Sequence, residues 1–263
     1  MKTRTVTILE VAFLLSLVLV YAIFAVCRAD LSTFKHTYFG LSPMPIEGSA
    51  SFYACSEPGK GFKERLPVII CIGHNFSQKP DVLTQLVGRL GEPVLLIWCD
   101  LLSDLSGDTR LDDPVVWEKK RREFTGLLSR YRQILKFDEQ RVYLTGTGFA
   151  GAYAWMLAYD QPEQYAGVVA MSAPSNPKQI QERIEAAKAV VTVVVMREKL
   201  EWLVKHRAEE ERTGRFIESQ NLRSKFSVKS IEGRSEMAKC WAENLKYILQ
   251  FRKSLEPKST FAQ

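Results

Sequence analysis

Histidine is scarce in this sequence. Its 263 residues hold three, His36, His74 and His206, far apart along the chain. There is no Cys-x-x-Cys pair and no His-rich spacing, so nothing points to a metal centre, and no cofactor is expected. One-sided charge is missing too. The net charge is +6, but acidic residues are mixed through the basic stretches, so no nucleic-acid partner is expected. The cluster Lys119–Arg122 reads as the solvated face of a helix. Repeats and low-complexity linkers are absent. What remains is 46% hydrophobic and 25% charged, an ordinary composition for a chain with one sizeable core.

Long uncharged apolar runs are also rare, with one exception. "MKTRT" is followed, after Glu10, by the uncharged segment 11–27, "VAFLLSLVLVYAIFAVC". A spanning helix needs about 20 apolar residues and tolerates somewhat fewer. Lys2 and Arg4 would keep the N-terminus on the cytoplasmic side, so the rest of the chain is expected to be exported. The cleavage sites near Val26–Cys27 and Ala29–Asp30 are poor, which favours a signal-anchor over a cleaved signal peptide. The expected division is a membrane segment at 1–30, one domain at 31–255 and a disordered tail at 256–263. Beyond Cys27 the cysteines are Cys55, Cys71, Cys99 and Cys240. Buried thiols are the default. Export would permit a disulfide, and Cys71 and Cys99 would be neighbours if their strands paired.

Strands and helices alternate through the domain. Segments 37–40 and 49–57 alternate in polarity, as early antiparallel strands do. Continuous apolar runs at 66–73, 93–100, 141–146, 165–175 and 189–196, with 226–231 as the last strand, suit a parallel sheet. Between them, 80–92, 112–137, 149–159, 176–188, 200–222 and 236–251 have helical spacing. Asp113 and Pro114 form an N-cap and first turn. The pattern predicts an α/β fold with a mostly parallel central sheet and helices on both faces, preceded by a hydrophobic N-terminal helix.

Residues 137–173, "FDEQRVYLTGTGFAGAYAWMLAYDQPEQYAGVVAMSA", carry a specific likeness. Asp138, Arg141, Val142, Tyr143, Gly146, Ala150, Gly151, Pro162, Tyr165 and Ala166 resemble the α/β-hydrolases, especially the secreted esterase and polyester-depolymerase-like branch. The element order fits from about residue 48 to 251. The resemblance implies a nucleophile elbow, a sharp strand-to-helix bend that presents a hydroxyl or thiol. Gly146 and Ala150 meet the need for small residues on either side of the apex, and Gly151 lets the helix pack closely. At the apex, however, stands Gly148.

The other positions that the resemblance implies are also without their chemistry. Acyl transfer needs a base and a group to orient it. The stretch 230–239, where a histidine is expected, has Arg234, Ser235 and Glu236. The stretch 193–202, where an aspartate is expected, has Glu198 and Glu201. The oxyanion loop reads Gly73-His74-Asn75-Phe76-Ser77, and Asn75, Phe76 and Phe149 are the candidate ligand-binding residues there. Ser77 with His74 is the rescue pair for a displaced nucleophile. Thr147 reads as a turn residue, Ser172 as structural, and His36 and His206 as surface residues. The expectation is a pseudo-hydrolase, membrane-anchored or exported, that binds a small acyl or ester-like ligand or a protein partner. An active esterase with another nucleophile and a structural envelope protein are the alternatives.

Overall fold

The computed structural model describes residues 42–44, 51–55, 65–73, 86, 88–102, 105, 113–135, 137–174, 177–198 and 201–253. The segment 11–27, the tail from 254, the strand expected at 37–40, and His36, His74, Asn75, Phe76 and Ser77 lie outside them. Among the described residues no helix is long and apolar enough to cross a membrane.

Eight strands form one sheet: β1 (Ser42–Met44), β2 (Ser51–Cys55), β3 (Leu66–Gly73), β4 (Leu95–Asp100), β5 (Phe137–Thr147), β6 (Gly167–Met171), β7 (Val191–Arg197) and β8 (Lys225–Lys229). Their order is β1-β2-β4-β3-β5-β6-β7-β8. β1 and β2 pair antiparallel, as do β2 and β4, and every other pair is parallel. The strands β3 to β7 are nearly continuous apolar runs because both faces are covered. On one face lie α1 (Pro114–Ile134), α2 (Phe149–Asp160), the short α3 (Pro177–Gln181) and α4 (Ile184–Ala189), and α5 (Glu201–Gln220). They bury Phe124, Tyr131, Tyr153, Trp155, Ile180 and Ile217 against Val142, Leu144, Ala170 and Val194. On the other face, α6 (Arg234–Ile248) and the helical residues near Leu86 and Leu90 pack on Ile69, Tyr143, Val169 and Val193.

Several boundaries differ from the sequence expectation. β5 starts at Phe137, four residues early, because Phe137 pairs with Leu66 before the register shifts at Val68. The single helix expected at 176–188 is two, separated at Arg183, whose φ of −114° is not helical. β6 stops at Met171 because Ser172 turns to φ 51°. Asp113 caps α1 as expected, its carboxylate accepting from Val115 N–H at 2.8 Å. The strands of Cys71 and Cys99 do pair, but Cys71 lies opposite Trp98 and Cys99 opposite Ile72. The two thiols therefore fall on opposite faces of the sheet. Cys71, Cys99 and Cys240 are all buried thiols outside any disulfide.

Candidate functional site

The turn from β5 into α2 is held by close backbone approach. A Cβ on Gly146 would lie 2.6 Å from the Ala150 carbonyl oxygen, and one on Gly151 would lie 2.8 Å from the Gly146 oxygen. Strand end and helix start cross too tightly for a side chain at either point. Ala150 is buried beside them. Gly148 N–H donates to Met171 O at 2.7 Å, and Gly148 O accepts from Ala152 N–H at 3.0 Å.

Gly148 itself is different. Its φ of 54° and ψ of −127° form a sharp bend, costly for any residue with a Cβ. Yet a Cβ there would meet no described residue within 4 Å. Among the described residues, then, no neighbour requires a glycine at the apex on steric grounds. It also leaves α2 with no side-chain cap on its N-terminus, the positive end of the helix dipole.

The loops beside the elbow come from β6, β7 and β8. β7 ends at Arg197, followed by Glu198, at the place where an orienting acid was expected. Glu198 is exposed and its backbone N–H donates to Lys229 O at 2.9 Å. Its charge helps to raise the pKa of Arg207 on α5, behind the hydrogen bond that Arg207 donates to Glu211. Glu201 opens α5. Arg197 is half-buried, and its Nε donates to Ile231 O at 3.1 Å. After β8, the chain passes through 230–233 into α6, with Gly233 at φ 86° as its cap. Ser235 and Glu236 are exposed at its start, and the Glu236 carboxylate accepts the Glu232 N–H.

No histidine follows β8. Among the described residues the sole imidazole is His206, exposed on α5 with Nδ1 3.7 Å from Glu209. No group of described residues has the make-up of a metal site. Thr147 is exposed, on the same face of β5 as Thr145, whose hydroxyl receives the Trp241 N–H at 2.6 Å. Buried thiols offer no substitute nucleophile, since burial pushes Cys71 and Cys240 up, away from the thiolate. Phe149 is half-buried in the first turn of α2.

Ser172, expected to be structural, has further features. It is 8% exposed, has a positive φ, and its hydroxyl finds no partner among the described residues. Its N–H donates to Val195 O at 2.6 Å. A serine after a strand is too common a feature to show this in sequence.

The strand order, the bend at Gly148 and the placement of the β7 and β8 loops define an α/β-hydrolase fold. Solved structures share it. A ferulic acid esterase superposes with a TM-score of 0.60 at 15% identity, over 81% of this chain and 98% of its own. Carboxyl esterase 2 from the fungus Tuber melanosporum gives 0.56 at 14%, over 81% and 87%. A bacterial membrane phospholipase A gives 0.51 at 13%, over 91% and 98%. No protein-family model and no curated protein matches the sequence.

Proposed function

We propose that this protein is a membrane-anchored or exported binding protein that uses the hydrolase cleft to hold a small acyl or ester-like ligand, or a protein partner, without turning it over. The observation that carries this reading is Gly148. The turn keeps the two glycines that its backbone needs, yet at the apex, where a Cβ has room among the described residues, it presents no atom for attack. Covalent acyl transfer requires a nucleophile and a base within hydrogen-bond reach, and neither stands at the β5, β7 or β8 position. The esterases and the membrane phospholipase A among the structural neighbours act on acyl esters by name, which supports an acyl ligand class. Anchoring rests on the segment 11–27 and its basic flank.

A fluorophosphonate probe tests the reading, because it labels activated serines covalently. No labelling of the full-length chain is expected, while a labelled serine overturns the proposal. Labelling at Ser77 that disappears in His74→Ala would instead establish an esterase with a displaced nucleophile.

A further inference from the structure

Two helices begin in the same way at the C-terminal edge of the sheet. α1 opens with Pro114-Val115-Val116-Trp117, and α5 with Glu201-Trp202-Leu203-Val204. The positive end of a helix dipole favours acids in the first turn. α1 has none there, and the one acid of α5 is followed by three apolar residues. Val115 is 77% and Val204 72% exposed. Among the described large apolar residues only Leu222 shows more of itself, 95%, in the turn at the other end of α5.

Both tips stand at the elbow's end of the sheet. Trp117 meets Tyr153 with ring centroids 5.1 Å apart, and Tyr153 is in the second turn of α2 after Gly148. The start of α1 is therefore level with the start of α2. On α5, a Cβ at Gly214 would run into the Phe226 ring, so Gly214 sits level with the start of β8. Val204 is ten residues from Gly214, a rise of about 15 Å. β8 climbs only about 10 Å from Phe226 to Lys229. The tip of α5 thus overhangs the sheet, and every residue from Val204 to Glu209 is exposed, all round the helix.

Cations follow each apolar tip: Lys119 and Arg122 on α1, Lys205 and Arg207 on α5. Lys119, Arg122 and Arg207 pair with Glu123, Glu118 and Glu211 along their own helices, and in each pair the cation is the more exposed member. Such surface pairs are weak, so the outermost charges of these pairs are positive. Glu209 and Glu211 lie further from the tip of α5. An apolar end backed by a basic collar is the order found at a membrane interface.

We infer that this end of the domain rests on an anionic lipid bilayer, the first turns of α1 and α5 entering its interface and Lys119, Arg122, Lys205 and Arg207 meeting its phosphates. The inference rests on the membrane-anchored reading proposed above and orients the domain that the anchor holds. The apolar segment 11–27 supplies the same surface. Residues 28–41 can span at most about 46–50 Å. Ser42 is level with Ile97, three residues below the end of β4 at Asp100, so that reach covers the rise to the tips. Two separate protrusions suit a fluid bilayer better than a protein partner, because lipid needs no matching shape. The bend at Gly148 lies at this same end, so an acyl ligand reaches it from the bilayer.

The full-length chain reconstituted in vesicles tests the inference. Val115→Cys, Val204→Cys and, as the control, Leu222→Cys are each labelled with a nitrobenzoxadiazole dye, the parent labelled alike serving as blank for its own thiols. The vesicles contain phosphatidylcholine, with or without phosphatidylglycerol, and some lipid carrying a nitroxide on its acyl chain. The nitroxide lipid is expected to cut emission at the Val115 and Val204 positions about twofold, more with phosphatidylglycerol than without, and to leave the Leu222 position unchanged. Unquenched tips, equal quenching at Leu222, or quenching indifferent to phosphatidylglycerol overturns the inference. Shielding of the tips from aqueous iodide without nitroxide quenching assigns the face to a protein partner or a second copy, and overturns it too. The two tips are read independently, so if one variant loses its circular dichroism spectrum the other decides. Alkaline carbonate washing separates this inference from the anchor. A chain that stays in the vesicles with unquenched tips defeats only the docking, whereas a chain that washes out defeats the anchored reading itself.

Discussion

Gly146, Gly148 and Gly151 sit within six residues of one another and do three different jobs. Gly146 and Gly151 are fixed by neighbouring backbone, while among the described residues Gly148 is fixed only by its own dihedral angles. Substitution should separate them. Gly148→Ala is expected to cost about 1–3 kcal/mol, the usual size of local backbone strain. Gly146→Ala should cost more, because its Cβ meets a carbonyl oxygen that has no rotamer to change. Urea denaturation of the two variants beside the parent measures the difference, and the reverse order would mean the bend is not built as described. The need for small residues at these positions was legible in the sequence. Which glycine owed its place to contact and which to conformation was not, because that depends on what lies opposite each Cα.

At the scale of elements, the Asp-x-x-Arg-Val-Tyr run is the clearest case of a pattern whose purpose is structural. Arg141 donates to Leu249 O at 2.7 Å and to Glu92 at 3.0 Å. Tyr143 OH donates to Phe251 O at 2.5 Å and approaches Leu249 O at 3.2 Å. Asp138 lies 3.3 Å from Arg252. These contacts tie the end of α6 to the beginning of β5, at the opposite end of the strand from Gly148. Tyr143 is buried, and that burial raises its pKa, so it stays a neutral donor. Tyr143→Phe is expected to destabilise the fold by about 1–3 kcal/mol, since two carbonyls lose a donor, with no change in probe labelling at the elbow. Thermal unfolding together with labelling checks both halves. The strands and helices themselves were readable because hydrophobic period and length mark them. The latch was not, since its partners are 106 and 108 residues apart in sequence. The break at Arg183 and the turn at Ser172 were missed for a related reason: backbone dihedrals set by tertiary contact leave no periodic signal.

For the whole molecule, the site is distributed over the ends of β5, β6, β7 and β8, and no single substitution rebuilds it. Gly148→Ser restores a hydroxyl at the apex, but β8 is followed by no histidine and β7 ends in Arg197. Without a base the serine stays a weak nucleophile. Hydrolysis of p-nitrophenyl butyrate by this variant is expected to match the buffer rate, and turnover above it would mean that a base lies elsewhere, His74 being the first to test. The sheet's outer strand β8 carries Lys225 and Lys229, charges that discourage edge-to-edge association. Fold order, sheet direction and the vacant apex could thus be anticipated from sequence. The positive φ of Ser172 and its hydroxyl without a partner among the described residues could not, because both are set by what surrounds them in the fold.

The latch at Tyr143 also has a consequence in time. The chain is made from its N-terminus, at roughly 5–20 residues per second. The carbonyls that Tyr143 and Arg141 require lie more than 100 residues downstream, so they follow by roughly 5–20 s at that pace. Until then the central strand can pair with β3 and bend at Gly148, and Arg141 can already reach Glu92, but the Tyr143 hydroxyl has only water to bind. The domain closes last at the end of β5 opposite Gly148, and a chain stopped short of Phe251 would lack the carbonyl to which Tyr143 donates.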